Sequence, residues 1–325
     1  MHAVRLHAFG PAENLTYEQV EDPRPGPGQV RVAVAAAGVH LLDTALREGV
    51  QGPVPLPTRL PTVPGREVAG VVESLGDGVD PSWLGKHVVA HLGFAPGGYA
   101  ELAVTDADRL HEIPAGLDAA QAVAMIGTGR TTMGILQFAE LGPDAVAVIP
   151  AAAGGIGGLL VQYARNAGAV VVGLAGGPGK TARVAAGGAD LAVDYRDPAW
   201  PQKVRAFLGG RSATVVFDGV GGEVAREAVA LLGPGGRHLV FGWSGQGLTG
   251  GPYLVDGVSQ QVLGPVMLQK TGGPNPLRTL ELRALAEAAA GRLVPAVQRF
   301  PLSEAAAAHR ALETRGTTGK VVLEP

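Results

Sequence analysis

The chain has 325 residues, a formal net charge of -3 and 46% hydrophobic residues, enough for two domains with buried cores. It has no cysteine, which excludes disulfides and thiolate zinc sites and fits a reducing, cytoplasmic compartment. No basic run is present to hold nucleic acid, and Met1–Gly10 lacks the apolar stretch of a secretory leader.

Residues 1 to about 115 read as β-rich. Ala3–Ala8, Leu15–Val20 and Val30–Ala37 are predicted strands, the last two joined by the Pro- and Gly-rich stretch Pro23–Gly28. Leu41–Arg47 predicts one or two helical turns, and Gly52–Gly65, with five prolines, an irregular surface loop. Glu67–Leu75, His87–His91 and Tyr99–Val104 add strands, with Gly97-Gly98 as a turn. Many short strands at regular spacing predict a small, partly open β-barrel.

The period changes at Asp118, which can cap a helix over Ala119–Met125; Thr131–Leu141 reads as a second helix. Val146–Ile149 is a short apolar run suited to a buried parallel strand, and a helix over Leu159–Ala167 follows. Strands and helices then alternate: Ala169–Leu174, Lys180–Ala186, Leu191–Asp194, Trp200–Leu208, Thr214–Asp218, Glu223–Leu232 and Gly236–Phe241. That alternation predicts a doubly wound parallel sheet, with Val262–Leu268 as its last strand. Leu277–Gly291 reads as a helix, and Ala296–Leu302 and Lys320–Leu323 as strands flanking a helix that opens at Ser303-Glu304. Lacking βαβ partners, these elements are expected to return to the first domain. The expected boundaries are 1–120 and 269–325 for one domain and 121–268 for the other.

Between the strand at Val146 and the helix that follows, Ala152, Gly154 and Gly157 occupy the three slots of the dinucleotide fingerprint, with Ala in the first. Small residues close the turn, admit a pyrophosphate and let the helix pack on the strand, and the N–H groups of the helix N-terminus then face the phosphates. The competing reading is a glycine-rich turn without a ligand. Ala145–Ala164 is also uncharged and long enough to span a membrane, but Pro150 and the clustered glycines within it argue against that.

Several stretches together carry a family resemblance: Pro25–Val30, Pro61–Val72 (Pro-Thr-Val-Pro-Gly-Arg-Glu-Val-Ala-Gly-Val-Val), Gly98–Glu101, Ala151–Gly157, Phe217–Gly221, Leu239–Gly242 and Thr318–Leu323. Over essentially its full length the chain resembles zinc-free quinone oxidoreductases of the medium-chain dehydrogenase/reductase superfamily. The resemblance implies an α/β fold, with a GroES-like partly open β-barrel catalytic domain, a Rossmann domain and a homodimer. Zinc-dependent relatives carry a His-Glu pair where this chain has Arg66-Glu67, so no metal is expected.

Cofactor choice is legible at the end of the second parallel strand, Leu174-Ala175-Gly176. NAD-specific folds place an acid there for the ribose 2′-OH, whereas Gly154–Ala189 contains no Asp or Glu but does contain Lys180 and Arg183. In the resembling NADPH-dependent reductases, a Lys and a Tyr stand where Lys180 and Tyr195 stand here. The resemblance further implies cofactor contacts at Thr131, Gly155, Ile156, Gly176 and Gly219, while Phe241, Gly242 and Ser244 end a strand at the carboxyl side of the sheet, where ligands bind in such folds, the competing reading being a plain βα turn. On the catalytic side, His40, Asp43 and Arg47 occupy the family's polar pattern, with His40 replacing an Asn and Ala45 a Tyr. His40 could donate a proton or hydrogen bond, since its ordinary pKa is near neutrality; the competing reading is a structural histidine.

The reading is therefore an NADPH-dependent oxidoreductase that passes hydride to a quinone or other conjugated carbonyl or alkene, a small molecule. Two alternatives stay open. One is an enoyl reductase of fatty-acid or polyketide type, although Leu46–Gly52 offers no tyrosine as proton donor. The other is an NADPH-binding protein without turnover.

Overall fold

The structure, a computed structural model, describes residues 1–50, 59–242 and 257–325. The chain forms two compact units, one of Met1–Thr128 with Pro295–Pro325 and one of Gly129–Val294. These boundaries fall at 128/129 and 294/295, against the expected 120/121 and 268/269.

In chain order, the first unit opens with β1 (His2–Leu6), β2 (Leu15–Gln19), β3 (Gln29–Val39), α1 (Leu41–Glu48), β4 (Glu67–Leu75), β5 (His87–His91), β6 (Leu102–Asp106), β7 (His111–Glu112) and α2 (Ala119–Val123). The second unit holds α3 (Arg130–Leu136), β8 (Val146–Ile149), α4 (Gly155–Asn166), β9 (Val170–Ala175), α5 (Pro178–Ala186), β10 (Leu191–Asp194), α6 (Trp200–Leu208), β11 (Ala213–Asp218), α7 (Gly222–Val229), β12 (Leu232–Val240), β13 (Ser259–Val262), α8 (Pro265–Thr271) and α9 (Pro276–Ala289). The chain then returns to the first unit through β14 (Val297–Pro301), α10 (Ala305–Glu313) and β15 (Lys320–Glu324).

The first unit is built on a sheet in the order β14-β15-β3-β4-β5-β7, with β6 also pairing β3. β3 alternates as a half-buried strand should, with Val30 and Val32 packed on Val72, Val88 and Leu110. Two pairings position the site: β3 and β4 pair Ala37 with Val68, and β15 and β3 pair Val321 with Val39. Gly38, Glu67 and Lys320 therefore converge at one end of three central strands.

The second unit is a parallel sheet in the order β10-β9-β8-β11-β12-β13. Counted from β8, that is the 3-2-1-4-5-6 order of a dinucleotide-binding fold, whose ligands sit at the carboxyl ends of the strands. Every residue of β8 is buried, as a central parallel strand requires.

Four expectations shift. Val262–Leu268 is not the last strand: β13 ends at Val262, and Pro265 opens α8, its missing N–H costing nothing in a first helical turn. The strand expected over Tyr99–Val104 begins only at Leu102, because Val4 donates to the Tyr99 carbonyl and Glu101 donates to the His2 carbonyl, bridging this stretch to β1 instead. α3 stops at Leu136, where Phe138 and Ala139 donate to the carbonyls three residues back and tighten the turn. The helix α9, expected to return with the C-terminal segment, instead packs in the second unit on α3, where Arg130 Nη1 pairs with Glu281 at 3.0 Å. Among the described residues, no helix is long and apolar enough to cross a membrane.

Candidate functional site

In the first unit, the site is built where β3 hands over to α1. His40 is the N-cap of α1, and its backbone N–H donates to Asp43 Oδ2 at 2.8 Å. The Asp43 carboxylate also lies at the positive end of the helix dipole. Gly49, at φ +80°, ends the helix in the left-handed conformation. His40 stands between two carboxylates, with Nε2 2.8 Å from Glu67 Oε1 and Nδ1 3.5 Å from Asp43 Oδ2. Burial alone would lower its pKa, but Glu67 outweighs that and raises it.

Glu67 is the anchor of this arrangement. It is fully buried, and its other oxygen pairs with Lys320 Nζ at 2.8 Å. Burial opposes its charge, yet His40 and Lys320 hold its carboxyl well below the usual range. Two glycines make room for it: a β-carbon on Gly127 would fall 1.4 Å from Glu67 Oε1, and one on Gly38 2.2 Å from Oε2. Gly127 lies in the π-helical segment Ala124–Gly129 that follows α2, a local widening of the kind found at functional sites.

Asp43 is buried, and despite that burial His40 holds its carboxyl down at about 2. It accepts a 3.1 Å bond from the Tyr99 hydroxyl, and Arg66 Nε lies 3.9 Å from its other oxygen. With the Tyr99 proton committed to Asp43, the 3.2 Å contact from His309 Nε2 to the Tyr99 oxygen has His309 as donor. Nδ1 of His309 is then the bare nitrogen, buried and without a partner, and burial pushes His309 down to about 4. Burial, with Asp43 beside it, raises Tyr99 well above its ordinary pKa. Arg47 is 1% exposed; Nη2 pairs with Glu48 and Glu313, tying α1 to α10.

A cleft of about 400 Å³ opens beside Asp43 within this unit, its walls mostly apolar: Leu6, Leu46, Pro64 and Phe94 among them. Arg47, Arg59 and Arg66 also line it. Among the described residues, no three His, Asp or Glu side chains are grouped to hold a metal ion. Both oxygens of Glu67 are already engaged, one by His40 and the other by Lys320.

In the second unit, the fingerprint turn lies between β8 and α4. α4 begins at Gly155 with Gly154 as N-cap and no side-chain cap, which leaves first-turn N–H groups open to an anion. A β-carbon on Gly157 would fall 2.3 Å from the Ala151 carbonyl, so the helix packs directly on the turn; Ala151 itself has φ +51°. Ala152 is buried, and Ile156 half-buried. This geometry fits a dinucleotide pyrophosphate. At the ends of β9 and β10, Gly176 and Tyr195 come together, since a β-carbon on Gly176 would lie 2.7 Å from the Tyr195 hydroxyl. Lys180 stands in the first turn of α5, three residues after Gly177. At the ends of β11 and β12, Gly219, Phe241 and Gly242 pack together: a β-carbon on Gly219 would lie 2.7 Å from the Phe241 ring, and one on Gly242 2.8 Å from the Gly219 carbonyl. Thr131 lies in the first turn of α3, and Ser244 lies outside the described residues.

The sequence reading missed several partners. Glu67 and Lys320 open β4 and β15 with opposite charges ahead of apolar runs, a signal that could have paired them. Tyr99 and His309 left no local signal. In the second unit, Asp194 ends β10 next to Ala175, so an acid does reach this region from the neighbouring strand. Arg196 clamps it, with Nη2 2.9 Å from Oδ2 and Nε 3.1 Å from Oδ1, and holds its carboxyl well below the usual range.

The two units define an oxidoreductase-type architecture, a GroES-like unit and a dinucleotide-binding unit. Residues 26–115 match the alcohol dehydrogenase GroES-like domain family and residues 187–323 the zinc-binding dehydrogenase family. Across 99% of both chains, the sequence is 33% identical to a quinone oxidoreductase from Pseudomonas aeruginosa. It is 30% identical to a 2-haloacrylate reductase from Burkholderia sp over 99% of this chain and 98% of the other. The fold matches that of Escherichia coli quinone oxidoreductase complexed with NADPH, with a TM-score of 0.85 and 27% identity over the whole of both chains. The chain belongs to the quinone oxidoreductase family of the medium-chain dehydrogenase/reductase superfamily.

Proposed function

We propose that the protein is an NADPH-dependent, metal-independent reductase of quinones or other conjugated carbonyl compounds and alkenes. The observation that carries the reading is the end of β9: Gly176 lies under the Tyr195 hydroxyl, Lys180 follows in the next turn, and Asp194, the acid that ends β10 beside it, is paired with Arg196. Such a site favours the 2′-phosphate of NADPH over the bare 2′-OH of NADH. The relatives support it, one being a quinone oxidoreductase complexed with NADPH and another a 2-haloacrylate reductase.

The nicotinamide, when bound, supplies the hydride. The protein's own part is to hold the dinucleotide at Ala152, Gly154, Gly155, Ile156 and Gly157, with Thr131, Gly219, Phe241, Gly242 and Ser244 as further contacts, and to hold the acceptor near His40 and Asp43. His40, whose charged form Glu67 favours, can donate a hydrogen bond to an acceptor oxygen or give up a proton. Asp43 is a positioning residue, and Arg47 acts through α1. The enoyl-reductase alternative is weakened, because Tyr99, the tyrosine nearest Asp43, is buried with its hydroxyl committed and its pKa raised.

Two further readings accompany the proposal. A homodimer would form through β13, which is the edge of its sheet and exposes Val262. A cytoplasmic location accords with the lack of cysteine. Oxidation of NADPH against a panel of quinones and enones tests the activity, and an absence of turnover with every acceptor would favour a cofactor-binding protein instead.

A further inference from the structure

We propose that the cleft beside Asp43 selects acceptors that carry a carboxylate, with Arg66 as the recognising residue and Arg59 as a second contact. The proposal rests on the reductase reading and names its substrate class. The cleft's walls are largely apolar, formed by side chains such as Leu46, Pro64 and Phe94, and they suit a flat conjugated carbon skeleton. Phe94 is 76% exposed, an apolar surface left for a ligand to cover.

Into this apolar space come guanidinium groups that the fold does not use up. Arg66 is largely buried, with 14% of its side chain exposed, and its Nε has no hydrogen-bond acceptor. Its nearest charged partner, Asp43, stands 3.9 Å away, too far for a hydrogen bond. Arg59 is exposed on the same wall. Arg47, behind them, is spent on Glu48 and Glu313 through Nη2, while its buried Nε and Nη1 have no acceptor.

The charges lining the cleft therefore do not balance. Among the described residues, Asp43 is its single carboxylate, facing Arg59 and Arg66, and that carboxylate already serves His40 and Tyr99. Burying guanidinium donors without acceptors is costly, and the partner that best matches their planar fork is a carboxylate. A ligand with an apolar body and one carboxylate satisfies both halves of the cleft. A neutral acceptor fills only the apolar half.

The test uses a matched pair, a 1,4-naphthoquinone carrying a propionate side chain and its methyl ester. Binding is measured calorimetrically on the full chain, and NADPH oxidation is followed in parallel. Wild type should bind the acid more tightly than the ester by about five- to thirty-fold, the range of a partly screened charge-assisted pair, and added salt should shrink that ratio. Arg66→Gln should collapse the acid-to-ester ratio towards one, Arg66→Lys should retain part of it, and Arg59→Gln should lower it less. The ratio cancels any effect of Arg66 on Asp43 that both ligands share. Equal binding of acid and ester by wild type, or a ratio that survives Arg66→Gln, overturns the proposal. Because binding is read directly, failure of both compounds to oxidise NADPH would count against the reductase reading alone.

Discussion

Acidification should cost the first unit stability through His309, well before its carboxylates protonate. His309 is fully buried, donates through Nε2 to Tyr99 and has no acceptor for a second N–H. Its pKa is lowered from 6.5 to about 4 by burial. A base with a depressed folded pKa contributes stability above its unfolded pKa, and that contribution is lost as pH falls between the two values. The gap is worth about 3 kcal/mol, a large fraction of a domain's stability. The raised pKa of His40 adds no slope here, because its contribution is complete below 6.5 and is lost only at higher pH. Asp43 and Glu67, both depressed, keep their contributions until pH falls below their ordinary values of 3.8 and 4.5. Urea unfolding between pH 6.5 and about 4.5, read by amide exchange in β3 and β15 so that the first unit reports alone, should show this loss. His309→Gln, which keeps a donor to Tyr99 and cannot be protonated, should flatten most of it. A flat wild-type profile, or an unchanged slope in the variant, would refute the assignment.

Four further outcomes follow from the geometry of the two units. Lys180→Ala should weaken NADPH by about five- to thirty-fold and leave NADH nearly unaffected, with the loss shrinking at high salt; titration of both cofactors decides it, and equal weakening would mean that Lys180 acts on the fold. Glu67→Gln should cost about 3–5 kcal/mol by stranding Lys320 and His40, and Gly127→Ala about 1–3 kcal/mol or more by collision with Glu67, both measured by denaturation. His40→Asn should reshape the pH–rate profile with little change in NADPH affinity, and an unchanged profile would leave His40 purely structural.

The fold was legible because its signals are local and repeat. Alternating strands and helices define the parallel sheet, and in the first unit Asp118 caps α2 as its position suggests. The apolar run around Val262 misled, since hydrophobicity alone does not tell a strand from a buried helix and the deciding residue was Pro265. The fingerprint turn was equally legible, because glycine spacing records backbone crowding directly. The network around Glu67 was not. It joins residues from β3, β4, α2's flank, α10 and β15, and only strand register brings them within reach. The same applies to Asp194, which enters the region after β9 from the neighbouring strand, so an absence of acids along one stretch of sequence did not describe the site in space.

The central claim is direct hydride transfer from NADPH to a conjugated acceptor without a metal. NADPH deuterated at the transferring position of its nicotinamide, incubated with the protein and an α,β-unsaturated ketone in chelator-treated buffer, tests it most directly. The account predicts turnover that survives chelation, exceeds that with NADH, and places the label on the β-carbon of the saturated product. No turnover, a preference for NADH, activity restored only by zinc, or a product without the label would contradict it.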